Sequence, residues 1–470
     1  MATISSPGIG SGLDVNSIIT QLMAIERKPI DQLQTAQTKI QSQVSEVGKI
    51  KSAVSKFRYL ASKLASPDFW QQTTGAASNS AVSVTTGSAA IAGDYKVEVQ
   101  SLASAQSVAT GVFASSAALL SAGSMHLELG TWGAGQTSFI AKPDATAVDI
   151  PIDATDTLAS VRDKINAAGA GVTASILTDA SGSRLLMRSS ASGAANAFRT
   201  SVTPSGGALG ALAFDPSSGP TGATQAQAAA DARATVNGLA VTSASNTMND
   251  VVDGVTLSFS STTLAPVNVS VVADTAAMKK TMQDFASAYT DLNKLIAADT
   301  KYDAASKKAG TLQGDSAIVG LQNRLRGMIG ASTAASTAFP RLSDAGFEMQ
   351  QDGTLSADAT KLDKALANLP QLKLMFASAS LTDPNLDGFA KRFRTVADDA
   401  LGIDGTLTTR NDGLNEKLAR NQKSQDSLQV RLAQTQARLE KQYTMLDAKL
   451  GTLNSLSTYI TQQVAIWNKG

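Results

Sequence analysis

The longest hydrophobic pattern lies at the C-terminal end. Leu414, Leu418, Asn421, Gln425, Leu428, Leu432, Thr435, Leu439, Tyr443, Leu446, Leu450, Leu453, Ser457, Ile460, Val464 and Trp467 recur at alternating three- and four-residue steps. Only Asn421, Gln425, Thr435 and Ser457 are polar in that run. A period of this kind predicts a coiled-coil helix roughly 80 Å long. A second stripe, Leu33, Ala36, Ile40, Val44, Val47, Ile50, Val54, Phe57, Ala61 and Leu64, ends before Pro67 and is its candidate partner. Ahead of it the spacing predicts a short helix from Val15 to Lys28, with Ile18, Leu22 and Ile25 on one face and Asp14 or Asn16 as cap. Pro29 is expected to separate the two helices.

Further helical stripes follow in the C-terminal half. Met278, Met282, Phe285, Tyr289, Leu292 and Ile296 form one, capped by Asp274 or Thr275. Ile318, Leu321, Leu325 and Met328 form another, and a third helix around Lys361–Phe376 is interrupted at Pro370. These predict a bundle with the terminal helices.

Between them, residues 74–273 change character, with Ala, Ser, Thr and Gly dominating. Tyr95, Val97 and Val99 alternate with polar residues, as do Val255, Leu257 and Phe259, and Val267, Val269 and Val271. This two-residue period predicts strands. Asn237-Gly238 suits a type I′ hairpin turn. Leu158, Val161 and Ile165 mark a short amphipathic helix, and residues 204–232 read as a long loop. The fold class is therefore α+β: a β-rich block nested inside a helical framework whose halves bury their stripes only by meeting.

Composition narrows the chemistry. The 470 residues include 40 Lys and Arg against 39 Asp and Glu, one His and no Cys. Disulfides, thiol nucleophiles and thiolate metal sites are excluded, and His126 alone supplies no multi-histidine centre. The net charge of +1 argues against nucleic acid as a partner. No window is apolar enough for a membrane span, and Met1–Asn16 lacks the pattern of an ordinary secretory signal. Gly8, Gly10 and Gly12 lack the spacing and the preceding strand of a phosphate loop, so they read as a leader. His126, in an alternating segment, reads as a solvent-facing strand residue, and the Asp-Gly pairs read as turns. No catalytic constellation, metal site or cofactor motif is present, and the chain is expected not to be an enzyme.

Residues 4–33, from Ile4-Ser5-Ser6-Pro7-Gly8 through Glu26-Arg27-Lys28-Pro29-Ile30, resemble the N-terminal signature of the flagellar hook-associated protein 2 family. Gly93-Asp94-Tyr95-Lys96-Val97 continues the resemblance, as do Asp156-Thr157-Leu158, Ile165-Asn166-Ala167, Arg184-Leu185 and Val236-Asn237-Gly238. It implies a filament cap, exported unfolded through the flagellar type III channel and assembled as a pentamer at the distal filament tip. There it retains flagellin and promotes its folding and insertion. The implied partners are further copies of the chain, flagellin, the hook–filament junction protein before filament growth, and an export chaperone. The implied domains are a leg of residues 1–40 with 441–470, a bundle of 41–73 with 274–440, an inner head of 74–125 with 230–273 and an outermost head of 126–229. The candidate partner or oligomer contacts are Ile18, Leu22, Ile25, Leu446, Leu450, Leu453, Ile460, Val464 and Trp467. Trp467 reads first as the end of an internal stripe and otherwise as an anchor for a partner, and either reading implies burial against another helix. The alternative function is a surface adhesin, with the head loops around 204–232 binding host glycan or mucin.

Overall fold

The computed structural model describes residues 14–304 and 307–468. The expected leader, with Gly8, Gly10 and Gly12, lies outside the described residues, as does the signature before Asp14. The chain forms two compact units. One is built from the segments up to Trp70 and from Thr275 onward, the other from Gln71–Asp274.

The first unit is helical because its apolar stripes close on one core. The N-terminal helix runs from Val15 to Leu64 as a single 50-residue element, with Pro29 inside it. The expected separation at Pro29 does not occur. Proline removes one N–H, and the carbonyl so orphaned belongs to Ile25, on the solvent side of the helix. Met23 and Ile30, flanking the proline, are both buried and keep the helix seated. Asp14 is the cap, accepting from Ser17 N at 2.9 Å.

Val47, Ile50, Val54, Phe57, Ala61 and Leu64 are buried against the helix Thr275–Thr300, whose stripe from Met278 to Ile296 is also buried. Phe57 lies at the centre, 5.0 Å from Phe285 and 5.5 Å from Phe393 between ring centroids. The helix Ser316–Ile329 adds Ile318, Leu321 and Leu325. The region around Pro370 is two helices, Ala359–Leu366 and Leu369–Ala377, and the proline occupies the first turn of the second, where it lacks no bond. The helix Phe389–Leu401 completes the bundle. The C-terminal helix, Thr406–Trp467, has 62 residues.

The second unit contains two apolar clusters. One gathers Val97, Val99, Val255, Leu257, Val267, Val269 and Val271, so the alternating positions face inward as the period requires. Its main sheet orders strands Thr73–Ala77, Val267–Ala273, Gly93–Ser101, Ala232–Val236 and Leu239–Ser243. Asn237 and Gly238 turn the last hairpin with φ of 50° and 82°, the left-handed pair a type I′ turn needs. The other cluster draws on residues from Val108 to Ala223. Strand Ser107–Thr110 and Leu120 belong to it, so in the structure the first crossing between the clusters falls near residues 103–108. The segment 204–232 is not a plain loop: Ala223–Gln227 is a strand paired with Ser107–Thr110. Its Ala-Thr-Gln-Ala-Gln sequence carries no apolar alternation, so only backbone pairing reveals it.

The motif Asp156-Thr157-Leu158 through Asn166 has a clear physical role here. Thr157 caps the helix Leu158–Ala168, and Ser160 closes the reciprocal bond. Asp156 accepts from Lys164 Nζ at 2.5 Å, Asp153 N at 2.7 Å and Ser160 Oγ at 2.8 Å. Asn166 clasps both backbone groups of Ala174, tying the helix to the adjacent strand. The Lys164 bond, then the Asp153 amide, hold the Asp156 carboxyl below the usual carboxylate range.

Two outcomes follow from this packing. Phe57→Ala is expected to cost about 3–5 kcal/mol in denaturant titration, whereas exposed Tyr59→Ala stays within about 0.5 kcal/mol. Because the Asp156 pKa is lowered on folding, its stabilisation is complete above the free carboxylate pKa of about 3.9 and fades as pH falls below it. Asp156→Asn is therefore expected to flatten the acid limb of the stability profile, measured by unfolding at stepped pH.

Candidate assembly interface

The two long helices run antiparallel. Lys51 Nζ reaches Thr408 Oγ1 at 3.3 Å, Gln37 Nε2 donates to Gln422 Oε1 at 3.0 Å, and Asn421 Nδ2 donates to the Leu33 carbonyl at 3.1 Å. Farther out, Val15, Ile19 and Met23 are buried with Leu432, Leu439 and Tyr443 packed against them. The start of the N-terminal helix thus lies by Tyr443, and the C-terminal helix continues to Trp467, about 36 Å farther.

Along the paired part the seam changes chemistry. Leu407 and Leu414 join the bundle core. Next comes a buried polar layer: Gln425 Nε2 donates to Asn421 Oδ1 at 2.6 Å and to Gln37 Oε1 at 2.9 Å. Beyond it the apolar contact is thin. The three–four alternation expected throughout also slips once: the steps from Thr435 to Leu439 and from Leu439 to Tyr443 are both of four residues. Such a stutter locally unwinds a left-handed supercoil.

Past Leu450 every described side chain except Gly451 is exposed. Leu453 is 58% exposed, Ile460 52%, Val464 49% and Trp467 85%. Trp467 is therefore not an internal core residue. No charged residue occurs from Leu450 to Asn468. Thr452, Ser455, Thr458 and Thr461 turn their hydroxyls back onto carbonyls four residues earlier, at 2.8–2.9 Å. The hydroxyls are thereby satisfied within the helix. The result is an uncharged helical surface with a continuous apolar row, the kind of exposed patch that marks a contact site.

The sequence-derived contacts divide between two elements. Leu446, Leu453, Ile460, Val464 and Trp467 are exposed on the C-terminal helix, and Leu450 is half-buried there. Leu22 and Ile25 are exposed and Ile18 half-buried on the N-terminal helix. The side of that helix facing its partner is instead Val15, Ile19, Met23 and Ile30, which sequence reasoning missed. Their four-residue spacing from Val15 to Met23 was the available signal. In the second unit, His126 Nδ1 lies 2.7 Å from Asp149 Oδ1 on neighbouring strands, half-exposed. Among the described residues no cluster of three or more His, Asp or Glu side chains is placed to hold a metal. No described helix is long and apolar enough to cross a membrane.

Comparison with known proteins gives a consistent picture. Residues 11–106 match the family pattern described as flagellar hook-associated protein 2 N-terminus, and residues 229–455 match its C-terminus. Residues 134–191 match the flagellin hook IN motif, which contains the Asp156–Asn166 clasp. The chain is 30% identical over 475 residues to flagellar hook-associated protein 2 of Escherichia coli (strain K12), covering 98% of each. It is 30% identical to the A-type flagellar hook-associated protein 2 of Pseudomonas aeruginosa, covering 97% of this chain and 96% of that one. The crystal structure of the flagellar cap protein FliD D1-D2-D3 domains from Escherichia coli superimposes with a TM-score of 0.62 at 27% identity, covering 79% of this chain and 99% of that one.

The seam and its exposed continuation are expected to respond differently to substitution. Ile19→Ala with Met23→Ala should remove about 2 kcal/mol or more of helix pairing, read as faster amide hydrogen exchange over 15–30. Leu453→Ser with Ile460→Ser should leave the melting midpoint of the isolated protein unchanged, because neither side chain is buried.

Proposed function

The chain belongs to the flagellar hook-associated protein 2 family, and from that premise we propose that it is a flagellar filament cap. It sits as an oligomer at the distal end of the filament, retains exported flagellin and promotes its folding and insertion. The observation that carries this reading is the uncharged, exposed continuation of the helical seam from Leu453 to Trp467. Each large apolar side chain buried there on docking contributes roughly 1.5–3 kcal/mol before ordering costs. Such a row suits a site that other helices cover in an assembly.

The finer parts of the reading follow from the family. The working oligomer is a pentamer, the chain leaves the cell through the type III channel, and an export chaperone covers it beforehand. The hook–filament junction protein is its first seat. Residues 1–40 with 441–470 act as the leg, 41–73 with 274–440 as the bundle, and 74–273 as a head of two parts. Its work is mechanical rather than catalytic. A leg whose N-terminal helix buries only four apolar residues, Val15, Ile19, Met23 and Ile30, can release and re-dock as each subunit is added. No observation favours the adhesin alternative.

The test is a deletion strain scored for filaments, motility and flagellin in the medium. Loss of filaments with flagellin leaking out is expected, and normal filaments would overturn the cap reading. Complementation with Leu453→Ser and Ile460→Ser should fail to restore filaments although the protein is exported and folded. Restoration by that variant would remove the Leu446–Trp467 row from the mechanism.

A further inference from the structure

The described residues leave the C-terminal helix uncovered past Leu450. That stretch carries two apolar rows rather than one. The first continues the seam through Leu450, Leu453, Ser457, Ile460, Val464 and Trp467. The second runs one residue behind it, through Thr452, Leu456, Tyr459, Gln463 and Ile466. Leu456, Tyr459 and Ile466 are each more than half exposed. Both rows keep the three–four alternation, so each has the period of a coiled-coil seam. The rest of the circumference is polar, with Asn454, Ser455, Thr458, Thr461 and Gln462.

Angle, charge and level decide what covers these rows. At about 3.5 residues per turn, successive residues lie about 103° apart around the helix, so the two rows face directions separated by that angle. One neighbour needs one seam, and two seams at this angle call for two neighbours. In a closed ring of like helices each member meets its neighbours at the interior angle, about 90°, 108° and 120° for rings of four, five and six. The tip lies nearest to five. Copies in such a ring all point the same way, so every residue lies level with its own counterparts. A charge there would face like charges, and Leu450–Asn468 has none. The rows also complement each other level by level: Thr452 lies beside Leu453, Ser457 beside Leu456, and Gln463 beside Val464. Where one row of a copy meets the other row of the next, no level is polar on both sides.

We propose that the tip of the C-terminal helix packs against the tips of two further copies of this chain, side by side, parallel and in register, closing a ring whose best fit is five members. The two rows are the surfaces on which copies meet, and the polar face turns outward. This names the partner of the exposed row. It rests on the cap reading for one thing only, that copies gather on one site; period, angle and charge supply the rest.

The chain has no Cys, so Gln462→Cys on the polar face takes a single nitroxide label clear of both rows. Pulsed dipolar spectroscopy of the full-length labelled protein is expected to show two distances, about 20 Å and about 33 Å, the side and the diagonal of a five-membered ring of helices spaced about 10 Å apart. Ser457 is exposed, so substitution there spares the fold. In the labelled protein Ser457→Glu is expected to abolish both distances, and Ser457→Lys to do the same. An equal mixture of those two proteins is expected to restore them, because unlike charges then meet. Absence of any distance below about 40 Å in the labelled protein would overturn the proposal. So would a single short distance, which means a pair, or a mixture that restores nothing. The measurement needs no filament. Missing distances beside lost filaments in the deletion strain leave the cap reading intact and assign the row to another protein. Normal filaments beside both distances overturn the cap reading and leave the ring.

Discussion

The structure depends on the antiparallel pairing of its two terminal helices. Residues 33 and 421 touch although nearly the whole chain lies between them. The pairing makes Gln71–Asp274 an insertion, with entry and exit side by side: Thr73 pairs with Ala273 in the first strand pair. A helix of 50 residues has one apolar stripe and is stable in water only when that stripe is covered. The bundle therefore cannot close before the C-terminal helix arrives, and both chain ends must be present for a stable first unit.

The seam is not uniform, and its variation has a physical logic. Aromatic and aliphatic packing around Phe57 holds the inner part. The Gln37, Asn421 and Gln425 layer then interrupts it with hydrogen bonds that gain less than apolar packing and are readily replaced by water. Outside the layer only Val15, Ile19, Met23 and Ile30 are buried on the N-terminal side. Opening the outer pair therefore disturbs few contacts and leaves the bundle core intact. The polar layer is the boundary between the apolar bundle core and the thinner outer pairing.

Much of this was legible in the sequence. The stripes from Val47 to Leu64 and from Met278 to Ile296 are core positions throughout, because a long period leaves little choice of face. The Asn237-Gly238 turn was legible because its backbone angles exclude most other residues. The misreadings share a cause: signals too local to outweigh their surroundings. Pro29 reads as a stop, yet one missing donor on a wet face does not end a helix packed on both sides. Ile18, Leu22 and Ile25 make as good a stripe as Val15, Ile19 and Met23, and only the partner's position decides between them. Ala223–Gln227 has no hydrophobic period at all, and its strand is specified by Ser107–Thr110 across the sheet.

The exposed end of the C-terminal helix carries the same reasoning one step further. A solvated helix ordinarily protects itself with charges, and the proximal part has them at Lys417, Arg420, Lys423, Arg431, Arg438 and Lys441. From Leu450 to Asn468 there are none, while Leu453, Leu456, Tyr459, Ile460 and Val464 stay exposed. Charges there would have to be stripped of water whenever the surface was covered, at a cost of several kcal/mol each. Neutral hydroxyls bonded to their own backbone need no such desolvation, so the surface can be covered and uncovered with little penalty in either direction. A permanent internal seam would gain nothing from that restraint. The composition of the tip suits a surface that is covered and uncovered rather than one sealed in a core.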